Sequence, residues 1–357
     1  MRYSVAPDIT AAATLDSAFY RDADAYERAR ERIFARSWQW LGDLRDVATP
    51  ESLAPRDLLA GMLDEPLLLA RDAAGTLRCL SNVCTHRANL LVTAPCRAAA
   101  IRCSYHSRRF DLAGRMTFMP EFEGAQNFPS PADDLSGVAL HAWGDHAFVA
   151  LAPAPPISPL LDALATRAGF VPDAAARHDP ACDRDYTVNA HWALYVENYL
   201  EGFHIPFVHP GLNDVLDARS YRDELHPQGT LQIAPAGGDA PAFAAGADGV
   251  RIAAYYAWCF PNLMLNAYPW GLSMNLVVPQ GLERTRVLFR SYVRDPALLE
   301  QGAGAALDAV EHEDEAIVHA VQRGVRSRFY RHGRYSPTRE RGVHHFHRML
   351  CAALAQE

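Results

Sequence analysis

Two groups of residues in this chain combine donor types and spacings that could hold redox-active metal. The first is Cys84-Thr85-His86 followed, sixteen residues later, by Cys103-Ser104-Tyr105-His106. Two thiolates and two imidazoles presented by two short loops are the donor set of a Rieske 2Fe-2S cluster, with cysteines on one iron and histidines on the other. Tetrahedral zinc accepts the same four donors, but zinc modules usually pair Cys with Cys and His with His, whereas here each loop supplies one of each. Cys79 and Cys96 lie close by in sequence, match neither ligand position, and read as small apolar residues or free thiols.

The second group lies in the stretch from Glu197 to Pro210, which carries Glu201, His204 and His209. Two histidines that meet a carboxylate from elsewhere, with coordination positions left open, form the facial triad of non-heme Fe(II) enzymes. On an unbroken helix His204 and His209 would point roughly 140° apart. Pro206 lacks an amide proton and clashes with the preceding turn, so the helix is expected to bend or end near Phe203 to Ile205 and let His209 swing back. Glu201, one turn before His204, is placed to accept the second ring N–H of that histidine. The rival reading is an amphipathic helix bearing two ordinary histidines and a solvated acid.

A carboxylate to complete the triad is found near the C-terminus. Between Leu307 and Val321 the apolar residues Leu307, Val310, Ile317, Val318 and Val321 define one helical stripe. Asp314 falls roughly 20° from its centre, with Glu311 and Glu313 roughly 80° away. A carboxylate on a buried face must be paired, protonated or metal-bound, since burying it ionised and alone costs many kcal/mol. A buried ion pair with a nearby arginine is the competing explanation.

These residues need elements to hold them. Asp24 to Arg36 reads as a helix with Asp24 as N-cap and Glu27 reaching back, its side Tyr26, Ala29, Ile33 and Phe34 turned to the main body. Short strands and turns follow Trp38-Gln39-Trp40-Leu41-Gly42, with a hairpin over Leu67–Arg71 and Thr76–Asn82. The stiff segment Ala152 to Pro159 closes this β region. Farther on, Arg251–Trp258, Leu272–Val278 and Arg284–Val293 have strand composition, with a turn over Pro279–Glu283, and imply an antiparallel sheet wrapped on helices. Tyr256, Trp258, Phe260, Tyr268 and Trp270 read either as an aromatic core or as a cation-π box for a quaternary ammonium group. Gly302-Ala303-Gly304 lacks a third glycine and a preceding strand, so no dinucleotide site is expected. The arginines from Arg323 to Arg341 form either a solvated face or a docking patch for an acidic electron donor, and His344-His345-Phe346-His347 reads as surface or packing.

Composition bounds the rest. With 357 residues, a net charge of -8, 21% charged residues and no dominant block of one sign, nucleic acid is excluded as a partner. No apolar run approaches the length of a membrane span, and Met1 to Ile9 lacks a secretory pattern. Seven scattered cysteines fit a reducing compartment, and the expected location is the cytoplasm.

Asn82-Val83-Cys84-Thr85-His86-Arg87, Cys103-Ser104-Tyr105-His106, Glu197 to Pro210 and Glu311 to Gly324 together resemble the catalytic α subunit of Rieske-type non-heme iron oxygenases, over nearly the whole chain. The resemblance implies an α+β chain: an N-terminal helical segment (1–36) on the catalytic domain, an all-β Rieske domain (37–152), and a helix-grip catalytic domain with an antiparallel sheet (153–357). It implies His204, His209 and Asp314 as iron ligands, Cys84, His86, Cys103 and His106 on the cluster, and Glu201 bridging to the residue matching His106 in a neighbouring subunit of a homotrimer. Electrons would come from NAD(P)H through a separate reductase, with or without a ferredoxin. The activity implied is O2-dependent hydroxylation or oxidative demethylation of a small organic substrate. Glu at position 201 resembles choline, carnitine and betaine oxygenases and points to amines, aromatic-ring dihydroxylation being the alternative. A Rieske electron carrier without oxygenase activity is the reading from another class. One departure stands out: the family's Gly-Trp after the second Rieske histidine is Ser107-Arg108 here.

Overall fold

The computed structural model describes residues 3–170, 175–245 and 249–356. The chain divides into two compact units, one of Trp38–Ala154 and one of Met1–Ser37 with Pro155–Glu357.

The first unit is built from short strands: β1 (Gln39–Asp43), β2 (Ser52–Leu58), β3 (Glu65–Arg71), β4 (Leu77–Ser81), β5 (Cys96–Arg97), β6 (Ile101–Arg102), β7 (Arg109–Phe110), β8 (Met116–Phe118), β9 (Gly137–Trp143) and β10 (His146–Ala150). Among the described residues, seven form one sheet in the order β1-β10-β9-β4-β3-β2-β5, and β6-β7-β8 make a small second sheet. The β3–β4 hairpin turns at Asp72–Gly75, where Gly75 takes φ +84° and Asp72 accepts from Thr76 N, the geometry that an Asx-type turn with a left-handed glycine favours. Leu68, Ala70, Leu80, Ile101, Phe110 and Leu135 pack into a core that includes both Cys84 and Cys103. The two cysteine-histidine loops are thus anchored on a buried apolar interior.

The second unit opens with α1 (Ala23–Arg32), a shorter helix than expected. Its N-cap is Asp22, whose side chain accepts from Ala25 N, and Asp24 is a first-turn residue without the capping-box role assigned to it and Glu27. Ala29, Ile33 and Phe34 are fully buried, and Phe34 meets Trp192 edge-on with ring centroids 5.0 Å apart. Next come α2 (Ser158–Ala168), β11 (Arg177–His178), β12 (Arg184–Val188), α3 (Trp192–Tyr199), α4 (Ile205–Val208) and α5 (Pro210–Asn213). The sheet strands are β13 (Arg222–His226), β14 (Gly229–Pro235), β15 (Ile252–Cys259), β16 (Leu263–Tyr268), β17 (Gly271–Gly281) and β18 (Arg284–Val293), followed by α6 (Leu307–Gly324) and α7 (Arg341–Ala355). The sheet is antiparallel, ordered β11-β18-β17-β16-β15-β14-β13, with β12 also on β18. Strands β14, β15 and β16 are buried at every residue, which explains their near-continuous apolar composition. The antiparallel sheet and the β-rich N-terminal unit agree with the α+β class read from the sequence.

The C-terminal arginines do structural work. Arg331 pairs with Asp16 at 2.8 Å, Arg334 donates to Thr10 O at 2.7 Å, Arg339 donates to Ala218 O at 3.0 Å, and Arg326 pairs with Glu283. They tie the N-terminal segment and neighbouring loops in place while Arg326, Arg331 and Arg334 remain exposed, as the solvated-face reading expects. His344 and His347 are buried on α7, so of the two readings given to this histidine group packing holds and surface does not. His344 Nε2 lies 2.8 Å from Ala6 O, and the Tyr335 hydroxyl 2.6 Å from His347 Nδ1.

Candidate active site

The two cysteine-histidine loops are built alike. Cys84 N–H donates to Asn89 O and Cys84 O accepts from Ala88 N–H; Cys103 N–H donates to Arg108 O and Cys103 O accepts from Ser107 N–H. Both turns are closed by a residue with positive φ, Ala88 at +54° and Ser107 at +61°. That is a conformation glycine adopts freely and other residues at a cost, which accounts for the glycine usual at position 107 in relatives of this motif. The imidazoles of His86 and His106 lie 4.8 Å apart by centroid, and the Nδ1 atom of each is buried without a hydrogen-bond partner. Burial and then the positive charges of His106 and Arg108 hold His86 below the usual histidine range, leaving a neutral imidazole. Burial opposes ionisation of Cys103, but backbone N–H groups of Tyr105 and His106 more than offset it and favour the thiolate. Two unpartnered Nδ1 atoms beside two buried thiols fit a cluster that takes two sulfur and two nitrogen ligands.

Arg108 replaces the expected tryptophan with a buried cation. Only 2% of its side chain is exposed, its guanidinium meets Asp133 Oδ1 at 2.6 Å, and it stands 5.6 and 5.8 Å from the ring centres of Phe128 and Phe110. A cation buried this deeply is tolerated because the Asp133 carboxylate is there to pair with it.

In the second unit the chain breaks earlier than Pro206. Helix α3 ends at Tyr199, and the segment 200–204 is irregular. Pro206 sits in the first turn of α4, where its missing N–H is no loss, so it starts a new helix and does not kink an old one. Glu201 shapes the break: one carboxylate oxygen accepts from Phe203 N–H and His204 N–H, and the other accepts from His204 Nδ1 at 2.7 Å. Gly202 is required for a different reason, because a Cβ there would lie 2.8 Å from the Tyr221 ring.

Helix α6 brings Asp314 to this loop. Candidate ligand atoms of His204, His209 and Asp314 all lie within 4.8 Å of one another, the only such set of His, Cys, Asp and Glu among the described residues. Asp314 Oδ1 is 3.0 Å from His209 Nε2 and 3.6 Å from His204 Nε2. His209 Nδ1 lies 2.7 Å from Glu313 Oε2. A carboxylate can only accept, so each imidazole keeps its proton on Nδ1 and turns the Nε2 lone pair toward the common centre. Asn198 Nδ2 donates to Asp314 Oδ1 at 2.5 Å and fixes that carboxylate.

The apolar stripe proposed for α6 is its buried face only in part. Val318 is buried and Leu307 and Val310 are half-buried at the cavity, but Ile317 and Val321 are exposed, and the other buried residues are Glu311 and Gln322. The helix packs on α3, whose polar groups need partners: His191 N–H donates to Gln322 Oε1 at 2.8 Å, and Tyr195 O–H donates to Glu311 Oε2 at 2.7 Å. Asp314 borders this face at the metal-ligand cluster, and the most deeply buried acid is Glu311. Burial pushes the Glu311 carboxyl up to about 8 against the opposing pull of Tyr195.

Above the cluster lies a cavity of about 740 Å³ including its open mouth. Tyr195, Tyr199, Tyr221, Tyr256 and Tyr268 line it, and no Lys or Arg does among the described residues. Tyr256 and Tyr268 meet edge-on at 5.9 Å, and Tyr199 stands edge-on to Tyr256 at 6.3 Å. Of the five aromatics singled out in the sequence, Tyr256 and Tyr268 reach the cavity. Trp258 packs on Phe346 and Phe260 in the core, and Trp270 stacks behind Tyr268 at 5.2 Å. Gly304 lies against that pair, its Cβ position 2.1 Å from Trp270 Nε1, so the Gly302-Ala303-Gly304 segment serves close packing. Sequence reasoning missed Asn198, Glu313 and the buried role of Glu311. Their signal was adjacency to ligand positions, which many surface acids share.

The chain belongs to the Rieske non-heme iron oxygenases: residues 37–129 match the Rieske [2Fe-2S] domain, and residues 173–356 match the catalytic domain of the ring hydroxylating alpha subunit. It is therefore an oxidoreductase with a 2Fe-2S domain and a non-heme iron domain. Among known proteins it is 30% identical to the chloroplastic choline monooxygenase of Arabidopsis thaliana, over 95% of this chain and 82% of that protein. It is 29% identical to the carnitine monooxygenase oxygenase subunit of Escherichia coli K12, over 94% and 92%. The fold matches a quaternary ammonium Rieske monooxygenase in complex with L-carnitine, with TM-score 0.72 and 23% identity over 96% of each chain. It also matches naphthalene 1,2-dioxygenase, with TM-score 0.67 and 15% identity over 96% and 92%.

Proposed function

We propose that this chain is the oxygenase component of a multicomponent system that hydroxylates or oxidatively demethylates a small amine. The observation that carries the reading is the cluster of His204, His209 and Asp314 at a tyrosine-lined cavity with no Lys or Arg among the described residues. In this reading His204, His209 and Asp314 hold the mononuclear iron, while Cys84 and Cys103 hold one iron of the 2Fe-2S cluster and His86 and His106 the other. The cluster supplies single electrons, received from an NAD(P)H-dependent reductase directly or through a ferredoxin, and the mononuclear iron supplies O2 activation. Glu201 and Glu313 hold the ligand imidazoles in one tautomer, Asn198 holds Asp314, and the tyrosines exclude water and present π faces to a cationic group.

The working assembly in this proposal is a homotrimer in which Glu201 of one subunit meets His106 of the next. Three exposed aromatic residues support it: Phe203 and Phe207 flank His204, and Tyr105 lies 3.7 Å by ring centroid from His106. Similarity to a quaternary ammonium Rieske monooxygenase described with inter-subunit electron transfer supports it too. A cytoplasmic location is favoured by the five cysteines outside the cluster set, Cys79, Cys96, Cys182, Cys259 and Cys351, each free of a disulfide. Among the described residues no helix is long and apolar enough to cross a membrane.

Metal analysis and O2 uptake test the function. Three irons per chain, with uptake driven by a surrogate reductase and stimulated by choline or another quaternary amine, are expected. Two irons would indicate an electron carrier, and stimulation by aromatic acids alone would favour ring dihydroxylation.

A further inference from the structure

Three carboxylates line the cavity: Glu201, Asp314 and Glu311. The first is engaged with His204 and backbone N–H groups, and the second with the histidines and Asn198. Glu311 stands apart. It is 4% exposed, one of its oxygens accepts from Tyr195, and the other, Oε1, is buried with no hydrogen-bond partner. A half-satisfied acid in a dry wall costs free energy unless a ligand supplies the missing partner. The charge balance of the wall says which ligand. Glu311, pushed up to about 8 by burial, is largely protonated when no cation is beside it, and Asp314 and the histidines are committed to the metal in the proposed reading. With no Lys or Arg lining the cavity among the described residues, a cation beside Glu311 is the group that draws its carboxyl into the ionised form. A quaternary ammonium has no N–H to donate, so it is held by nearby negative charge and aromatic faces, and this wall offers both.

We propose that Glu311 is the specificity-determining residue that anchors the cationic nitrogen of the substrate, and that the cavity takes an ammonium compound bearing no carboxylate. This rests on the amine reading of the same cavity. The sequence gives no hint of it, because Glu311 is one of four acids between residues 311 and 315. Only the packing of α6 on α3 turns Glu311 inward. Asp308, Asp314 and Glu315 of its own helix oppose its ionisation and Tyr195 of α3 donates to it, while Asp308 is paired with Arg184 and Asp314 with His209. None of these partners reaches Oε1, the place left for a cation.

The test uses the iron-loaded enzyme without O2, titrated calorimetrically with choline, with its neutral carbon isostere 3,3-dimethylbutan-1-ol, and with glycine betaine. The native enzyme is expected to bind choline at least about tenfold more tightly than the neutral alcohol, and glycine betaine more weakly than choline. Glu311→Gln is expected to lose that preference for charge while binding the alcohol as before and keeping three irons per chain. Equal choline affinity in the native enzyme and Glu311→Gln, or betaine binding as tight as choline, overturns the proposal. Should Glu311→Gln fail to load iron, Glu311→Asp is titrated in its place: it keeps the charge but draws it back from the cavity, and a choline affinity equal to that of the native enzyme overturns the proposal. If none of the three binds an enzyme that holds three irons, the Glu311 assignment falls while the oxygenase reading stands. An enzyme with two irons removes both.

Discussion

Replacing Glu313 probes whether the metal centre is tuned from outside its ligands. Glu313 Oε2 accepts from His209 Nδ1 at 2.7 Å, and the partners differ sharply in burial, with 1% of the His209 side chain exposed and 40% of Glu313. An outer partner of a ligand histidine typically changes metal affinity by about 10- to 100-fold. Water screens the exposed Glu313 carboxylate, so Glu313→Ala belongs near the low end, about tenfold or roughly 1.4 kcal/mol. Glu201 makes the same contact with His204 at 2.7 Å with only 15% of its side chain exposed, so Glu201→Ala is expected to weaken iron binding more. Glu313→Gln keeps an acceptor and loses the charge, and is expected to fall between native and Glu313→Ala. The assay is release of mononuclear iron to an Fe(II) chelator, with the cluster absorption as internal control. If Glu313→Ala retains iron as the native protein does at every chelator concentration, the carboxylate does not tune the site and the argument from geometry is wrong.

Asp314→Ala is expected to leave the cluster spectrum intact and lower the iron content from three per chain to two; three irons in that variant would remove Asp314 from the ligand set. Glu201→Gln is expected to keep a reducible cluster yet lose nearly all turnover, and to regain some when mixed with a His86→Cys variant under subunit exchange. Absence of recovery after demonstrated exchange would confine electron transfer to single chains. Arg108→Leu leaves the Asp133 carboxylate without its cation, a loss of about 2–3 kcal/mol once the partial exposure of Asp133 is allowed for, and adding Asp133→Ala should recover part of it. Denaturant midpoints followed by cluster absorbance measure both, and equal stability of Arg108→Leu would refute the pairing. Ser107→Gly relieves a φ of +61° and is expected to stabilise the cluster loop by about 1 kcal/mol, an unchanged midpoint counting against the strain.

What could be read from the amino-acid chain was whatever depends on residue type and short spacing. Cys84, His86, Cys103 and His106 stand out because each loop must bring both donors within a few residues, and the hairpin over residues 65–81 because turn chemistry is local. Strands β15, β17 and β18 were legible from composition, while β16 was missed: it is as fully buried as β15 but only six residues long, and so short a buried run carries no alternation to mark it as a strand. The α6 wheel pointed to the right helix for a reason only partly right. Apolar residues there face outward at 317 and 321, and the buried face carries Glu311 and Gln322 because α3 presents polar groups that must be satisfied. Helical periodicity counts apolar side chains and cannot register a buried face chosen by hydrogen bonding. The helix break expected near Phe203 to Ile205 is present at 200–204, but its cause was misread: it forms around the Glu201 carboxylate, and Pro206 starts the next helix. The contacts of Asn198 with Asp314 and of Glu313 with His209 join residues 116 and 104 positions apart, and the orphaned oxygen of Glu311 depends on which way a helix rolls. Nothing in the local sequence encodes that roll; the packing of α6 against α3 and the sheet sets it.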